Sequence, residues 1–232
     1  TRELVNLLSH PNGWHRDTAQ RLLVERQDTS AIALLETACE SSDPVVVLHA
    51  MGALEGLKGS LKNVIQKALL HPSAHVRKRA IKIISTHASE FTKDTATLQA
   101  LTKRSADESP SVRFELGVAL ASILTVADNQ TLGDALFTLA RTDENNEWIS
   151  NAILGAPPET LKKHIFDRIA ANPSLLNSKQ FVSRLIEIRA ATDSTEGRQE
   201  LIQFLAKQES NPAWIKALGA GLRKAGLTIE KA

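Results

Sequence analysis

The stretch His75-Val76-Arg77-Lys78-Arg79-Ala80-Ile81-Lys82-Ile83-Ile84, entered through His71-Pro72-Ser73, decides the fold. The proline turn opens a helix, and Val76, Ala80 and Ile84 recur at a four-residue spacing that puts them on one helical face. With Ala80 as reference, equivalent positions fall at Ala19, Ala50, Leu116, Ala152, Leu185 and Leu218, 30 to 36 residues apart. Four residues upstream, that column reads His15, Val46, Val76, Val112, Trp148, Phe181 and Trp214. Four residues downstream it reads Leu23, Leu54, Ile84, Leu120, Ala156, Arg189 and Leu222, with Ala156 and Arg189 departing from the pattern. Repetition at such a period marks a solenoid of stacked supersecondary units.

Each of these helices follows a second amphipathic segment, such as Leu4 to Leu8, Leu61 to Leu69, Leu132 to Leu139, or Leu161, Ile165 and Ile169. One unit is therefore a helical hairpin, which cannot bury its apolar face alone and must stack on its neighbours. About seven hairpins fit the chain, at roughly 2–9/14–27, 30–41/44–58, 61–70/73–89, 94–106/110–127, 132–141/146–155, 159–171/178–191 and 196–208/212–225. Asp43-Pro44 and Ser109-Pro110 combine a capping side chain with proline in the first helical turn. Thr131 to Asp134 reads as a capping box, Gly155 to Pro158 as a helix stop, and Gly226 as a C-terminal cap. The expectation is an all-α, right-handed α-α superhelix forming a single domain over 1–232, without β-strand.

This pattern resembles HEAT repeats, whose signature places Pro or Asp in the turn, then Val-Arg, then a small residue. Pro72 with Val76-Arg77 and Ala80, and Pro110 with Val112-Arg113, carry the likeness. A narrower resemblance runs from Leu7 to Arg26, with Asp143 to Ile149 and Trp214 to Leu218. These segments are similar to the HEAT region of large bacterial membrane-bound dehydrogenase-like proteins, which join a sugar-dehydrogenase-type propeller, a HEAT array and a c-type cytochrome domain. The resemblance implies a piece excised from a longer polypeptide, flanking domains as partners, and a periplasmic or exported location. The opening Thr1-Arg2-Glu3-Leu4, already helical in pattern, fits an excised piece.

Composition narrows the function classes. The 232 residues carry a net charge of +2, too small to argue for nucleic acid. Cys39 is the only cysteine, which excludes an intrachain disulfide and a multi-cysteine zinc site. Its place on a helix reads as a buried or half-buried thiol. No apolar run reaches the ~20 residues that span a bilayer. No His-Glu ligand pair, haem-attachment motif, phosphate loop or dinucleotide fingerprint occurs. No cofactor or metal is expected.

Three constellations remain. Arg16, Arg77 and Arg113 share one repeat column, three residues before the reference. A guanidinium there can pair with turn carboxylates such as Asp43, Asp107 and Asp143, forming a structural ladder, or it can bind an anion row. Lys78 and Lys82 lie two residues either side of Ala80 and face outward, as a solvated helix face or as part of a concave binding surface. The same columns hold Asp17, Arg21, Leu48, Phe114 and Val118. Leu48, Phe114 and Val118 are apolar where water is expected. They mark a partner site, or superhelix curvature buries them, or the register is off by one. Trp14, Trp148 and Trp214 read as packing plugs at helix starts.

Two function classes follow. One is a non-catalytic interaction or interdomain scaffold that docks a protein partner or a flanking domain. The alternative is a HEAT-scaffold enzyme or nucleic-acid-binding protein of the DNA-glycosylase-like kind, which would use Trp148 and the Lys78/Lys82 stripe.

Overall fold

A computed structural model describes residues 1–208 and 211–227. It is 77% helix, and no strand occurs among the described residues. The chain divides into two compact units, Thr1–Arg104 and Ser105–Ala232.

The first unit contains α1 (Arg2–Leu7), α2 (Gly13–Arg26), α3 (Ile32–Ala38), α4 (Pro44–Gly56), α5 (Lys62–Ala68), α6 (Ala74–Thr86), α7 (Ala88–Phe91) and α8 (Thr95–Thr102). Side-chain caps set several of these starts. Asn12 accepts the Trp14 N–H, Asp43 the Val45 N–H and Asp94 the Thr97 N–H, each satisfying an amide that the helix itself leaves unpaired. α1 packs on α2, α3 on α4 and α5 on α6. Between pairs, α2 meets α4 and α4 meets α6, while α1 meets α3 and α5 meets α8. The core between them holds Leu8, Leu23, Leu35, Met51, Leu54, Ile65, Leu69, Ile81 and Ile83, each less than 2% exposed. Burying one such side chain is worth about 1.5–3 kcal/mol.

The second unit contains α9 (Pro110–Val126), α10 (Gln130–Thr142), α11 (Glu147–Leu154), α12 (Pro158–Leu161), α13 (Asp167–Ala171), α14 (Lys179–Thr192), α15 (Thr195–Ala206) and α16 (Pro212–Lys224). α9 packs on α10 and α11, α11 on α14, and α14 on α15 and α16. α14 and α16 approach closely, because Gly221 lies against the α14 backbone. A Cβ there would stand 2.3 Å from the Glu187 carbonyl oxygen and 2.6 Å from Ala190 Cβ. α16 ends in the left-handed glycine cap expected at Gly226 (φ 73°), with Leu227 N–H donating to the Leu222 carbonyl and Gly226 N–H to that of Arg223.

Details differ from the sequence expectation. α10 is capped by Asn129, which accepts the Leu132 N–H, so Thr131 lies inside the helix and opens no capping box. Between α12 and α13 the backbone makes a π-helical turn, Lys162–Phe166. It accommodates His164, only 1% exposed, whose Nε2 lies 3.1 Å from Asp128 Oδ1. The ring fills the space a Gly133 side chain would occupy, since a Cβ there would lie 1.9 Å from His164 Nδ1. Arg189, where the apolar column breaks, is fully buried. Its Nη2 lies 2.5 Å from Asp193 Oδ2, and its guanidinium stacks 3.9 Å from the Phe166 ring centroid.

Candidate partner-binding surface

Counting from the N-terminal cap shows how the repeat column is oriented. In α2, α4, α6, α9, α14 and α16 the caps are Asn12, Asp43, Ser73, Ser109, Ser178 and Asn211. The upstream column falls three residues later in each, at His15, Val46, Val76, Val112, Phe181 and Trp214. α11 is capped by Asn146, so its third position is Ile149, 1% exposed, followed by Ile153, fully buried. The register expected from sequence is therefore one residue early in this copy. One residue turns a helix by about 100°, which puts Trp148 on the outside at 75% exposure. Trp14, two residues after its cap, is likewise 67% exposed. Neither is the packing plug expected from sequence. Trp214 is half-buried and stacks on Phe204 at 6.2 Å.

Exposed Trp148 stands beside Phe114. Together with Pro110, Ser111, Asn146 and Ile149 they line an open groove of about 280 Å³ at the N-terminal ends of α9 and α11. Phe114 and Val118 are both half-buried. Val118 lines a second opening of about 360 Å³, with Ala121, Thr125, Asn151, Ala152 and Gly155. On α9, Phe114, Val118, Ala121 and Thr125 fall at the three- and four-residue spacing of one face, so both openings lie along one α9/α11 seam. Small residues keep its floor shallow: a Cβ on Gly117 would sit 3.2 Å from that of Ala152. No lining residue of either opening is charged. The sequence pattern singles out Phe114 and Val118 but misplaces Trp148 and misses the α11 contribution, which the Asn146 cap signals.

The other expected site residues belong to the first unit. Leu48 and Lys78 are half-buried, while Lys82, Asp17 and Arg21 are exposed. Arg21 pairs with Glu25 one turn on, at 2.8 Å.

The three column arginines share a geometry. Nη1 donates to two carbonyls of the preceding turn: His10 and Pro11 for Arg16, His71 and Pro72 for Arg77, Asp107 and Glu108 for Arg113. Arg113 also grips Asp143 in a two-point fork, Nε at 2.7 Å and Nη2 at 2.8 Å, and this hydrogen bond raises its pKa above the ordinary arginine value. Each side chain thus satisfies turn carbonyls that lie outside any helical ladder. Arg16 Nε faces His49 Nε2 at 3.4 Å, and His49 Nδ1 in turn meets Gln20 Oε1 at 2.7 Å, linking α2 to α4. Burial pushes the His49 pKa below its ordinary value.

Cys39 is half-buried between Glu36 and Glu40, and burial with these carboxylates pushes its thiol up to about 12. Among the described residues, no group of three or more His, Cys, Asp and Glu is placed to hold a metal ion. No described helix is long and apolar enough to cross a membrane. Neither family models nor curated proteins match the sequence.

Proposed function

We propose that this chain is a HEAT-type helical scaffold without catalytic activity of its own. It docks a protein partner, or a flanking domain of the same polypeptide, on an apolar seam. The observation that carries this reading is the uncharged groove in which half-buried Phe114 and exposed Trp148 lie side by side. Exposed aromatic area next to a preformed apolar pocket is costly in water and characteristic of interface anchors. The recurring cap, apolar and small-residue pattern supports the repeat assignment.

The test is quantitative capture of the chain's binding protein by wild type and by Phe114→Ala. The variant is expected to retain its melting temperature within about 2–4 °C, a loss near 1 kcal/mol, while capture falls about tenfold or more. Equal capture by both would refute the docking role. So would binding of duplex DNA whose affinity drops steeply with salt, since such a slope reports phosphate contacts.

A further inference from the structure

One position on the second helix of each hairpin turns toward the hairpin that follows. It lies four residues past the N-terminal cap and is Arg16 in α2, Val47 in α4, Arg113 in α9, Ser150 in α11, Val182 in α14 and Ile215 in α16. Arg16 reaches His49 on α4, and Arg113 grips Asp143 in the turn before α11. Val47, Ser150 and Val182 are 1%, 5% and 3% exposed, whereas Ile215 is 53% exposed. The position one turn further on agrees: Met51 in α4 and Ile186 in α14 are fully buried, and Gly219 in α16 is half-buried. α4 is covered by α6, and α14 by α16. On α16 the same face borders an open groove of about 290 Å³, lined by Ile202, Leu205, Trp214, Ile215 and Leu218 and by no charged residue.

The stacked helices show what fits such a face. Gly52 and Gly56 of α4 lie against Gln20 and Val24 of α2, where a Cβ on either glycine would stand 2.5 Å from the side chain it meets. Gly221 of α16 lies likewise against the α14 backbone. The covering helix thus brings glycine to the contact, which lets two helix axes approach closely. The chain's own first hairpin lacks this feature. The α2 positions that match Gly52 and Gly56, counted from the cap, are Arg21 and Glu25, exposed and paired with each other. A second copy stacked head to tail would therefore press a charged pair onto an apolar groove, at a desolvation cost that nothing there offsets.

We propose, resting on the repeat reading above, that the α15/α16 groove is a stacking face for a helical hairpin of a partner. The second helix of that hairpin brings a glycine against α16, and its aliphatic side chains cover Leu205, Ile215 and Leu218.

The experiment measures binding of the full chain to a fluorescent peptide of residues 194–227, the α15–α16 hairpin, which in the chain covers the equivalent face of α14. Staples within both helices hold it helical, as circular dichroism confirms. The peptide is expected to bind saturably and to respond little to salt, since the groove is uncharged. Ile215→Asp in the full chain alters an exposed side chain, so the fold should tolerate it, and binding should weaken about tenfold or more. A peptide carrying Gly221→Leu should lose binding to a similar extent, because the close approach is blocked. Trp148→Ala in the full chain, on the separate α9/α11 seam, should leave binding unchanged.

No saturable binding of the helical peptide, binding unchanged by Ile215→Asp, or a Gly221→Leu peptide that binds as tightly overturns the inference. Sedimentation of the chain alone as a dimer that Ile215→Asp dissociates would assign the groove to a second copy and also overturn it. The docking role of the α9/α11 seam fails separately, on equal partner capture by Phe114→Ala.

Discussion

Removing the Asp193 carboxylate should destabilise the second unit far more than an exposed ion pair would. Arg189 is fully buried in α14, and its Nη2 lies 2.5 Å from Asp193 Oδ2. Its Nε and Nη1 find no protein partner, so Asp193 and the Phe166 ring face carry the compensation for its charge. Asp193→Ala leaves a buried guanidinium with the cation–π contact and a long Nη2 hydrogen bond to the Gly197 carbonyl, 3.5 Å. Breaking a buried pair costs about 3–5 kcal/mol, and the remaining ring contact is worth about 2 kcal/mol when desolvated. The expected loss is therefore about 3 kcal/mol or more, a fall in melting temperature on the order of 10 °C. Arg189→Met with Asp193→Ala replaces the pair by apolar packing under Phe166 and should recover most of that loss, as apolar replacements of buried pairs often do. Urea unfolding followed by circular dichroism at several pH values measures both. Burial raises the Asp193 pKa above 3.8 despite Arg189. The folded state therefore holds its proton to higher pH than the unfolded chain. That contribution to stability falls as pH rises from 3.8 through the raised value, and Asp193→Asn should abolish this slope. Asp193→Ala within 1 kcal/mol of wild type, or a double variant no better than the single, would refute the reasoning.

Gly221→Ala should cost about 1–3 kcal/mol, because its Cβ would collide with the Glu187 carbonyl. Gly219→Ala, whose Cβ meets nothing nearer than Arg223 at 3.5 Å, should be neutral or stabilising; equal thermal melts for the two would undo the close-approach argument. His49 has its pKa lowered by burial, so its stabilising contribution is complete above 6.5 and is lost as pH falls through the lowered value. His49→Gln should flatten the urea-midpoint profile as pH falls below 6.5, and parallel profiles would count against that assignment. Cys39, its thiol pushed up to about 12, should react with a thiol-specific disulfide reagent about a hundredfold more slowly in the folded chain than in urea; similar rates would show an accessible thiolate.

Local chemistry sets what the sequence determined. Capping residues, prolines and four-residue apolar spacing act within one or two helical turns. The helices, the cap at Asp43 and the glycine stop at Gly226 are therefore legible in the amino-acid order alone. So is the placing of Phe114 and Val118 on one face of their helix, since a helix face follows from spacing; that both end half-buried does not. Trp148 shows where that reading slips. Aligning the bulky residue hides a cap at Asn146 that places Ile149 and Ile153 in the core, and one residue of register turns a tryptophan from core to surface. Other features required the tertiary structure because they depend on which segments meet. Arg189 reads as a break in a column until Asp193 and Phe166 surround it. His164 has its place because Gly133 leaves room and a π-turn redirects the backbone. The α9/α11 seam exists because Gly117 and Ala152 let two helices approach closely, a distance between residues far apart in sequence that no local pattern encodes.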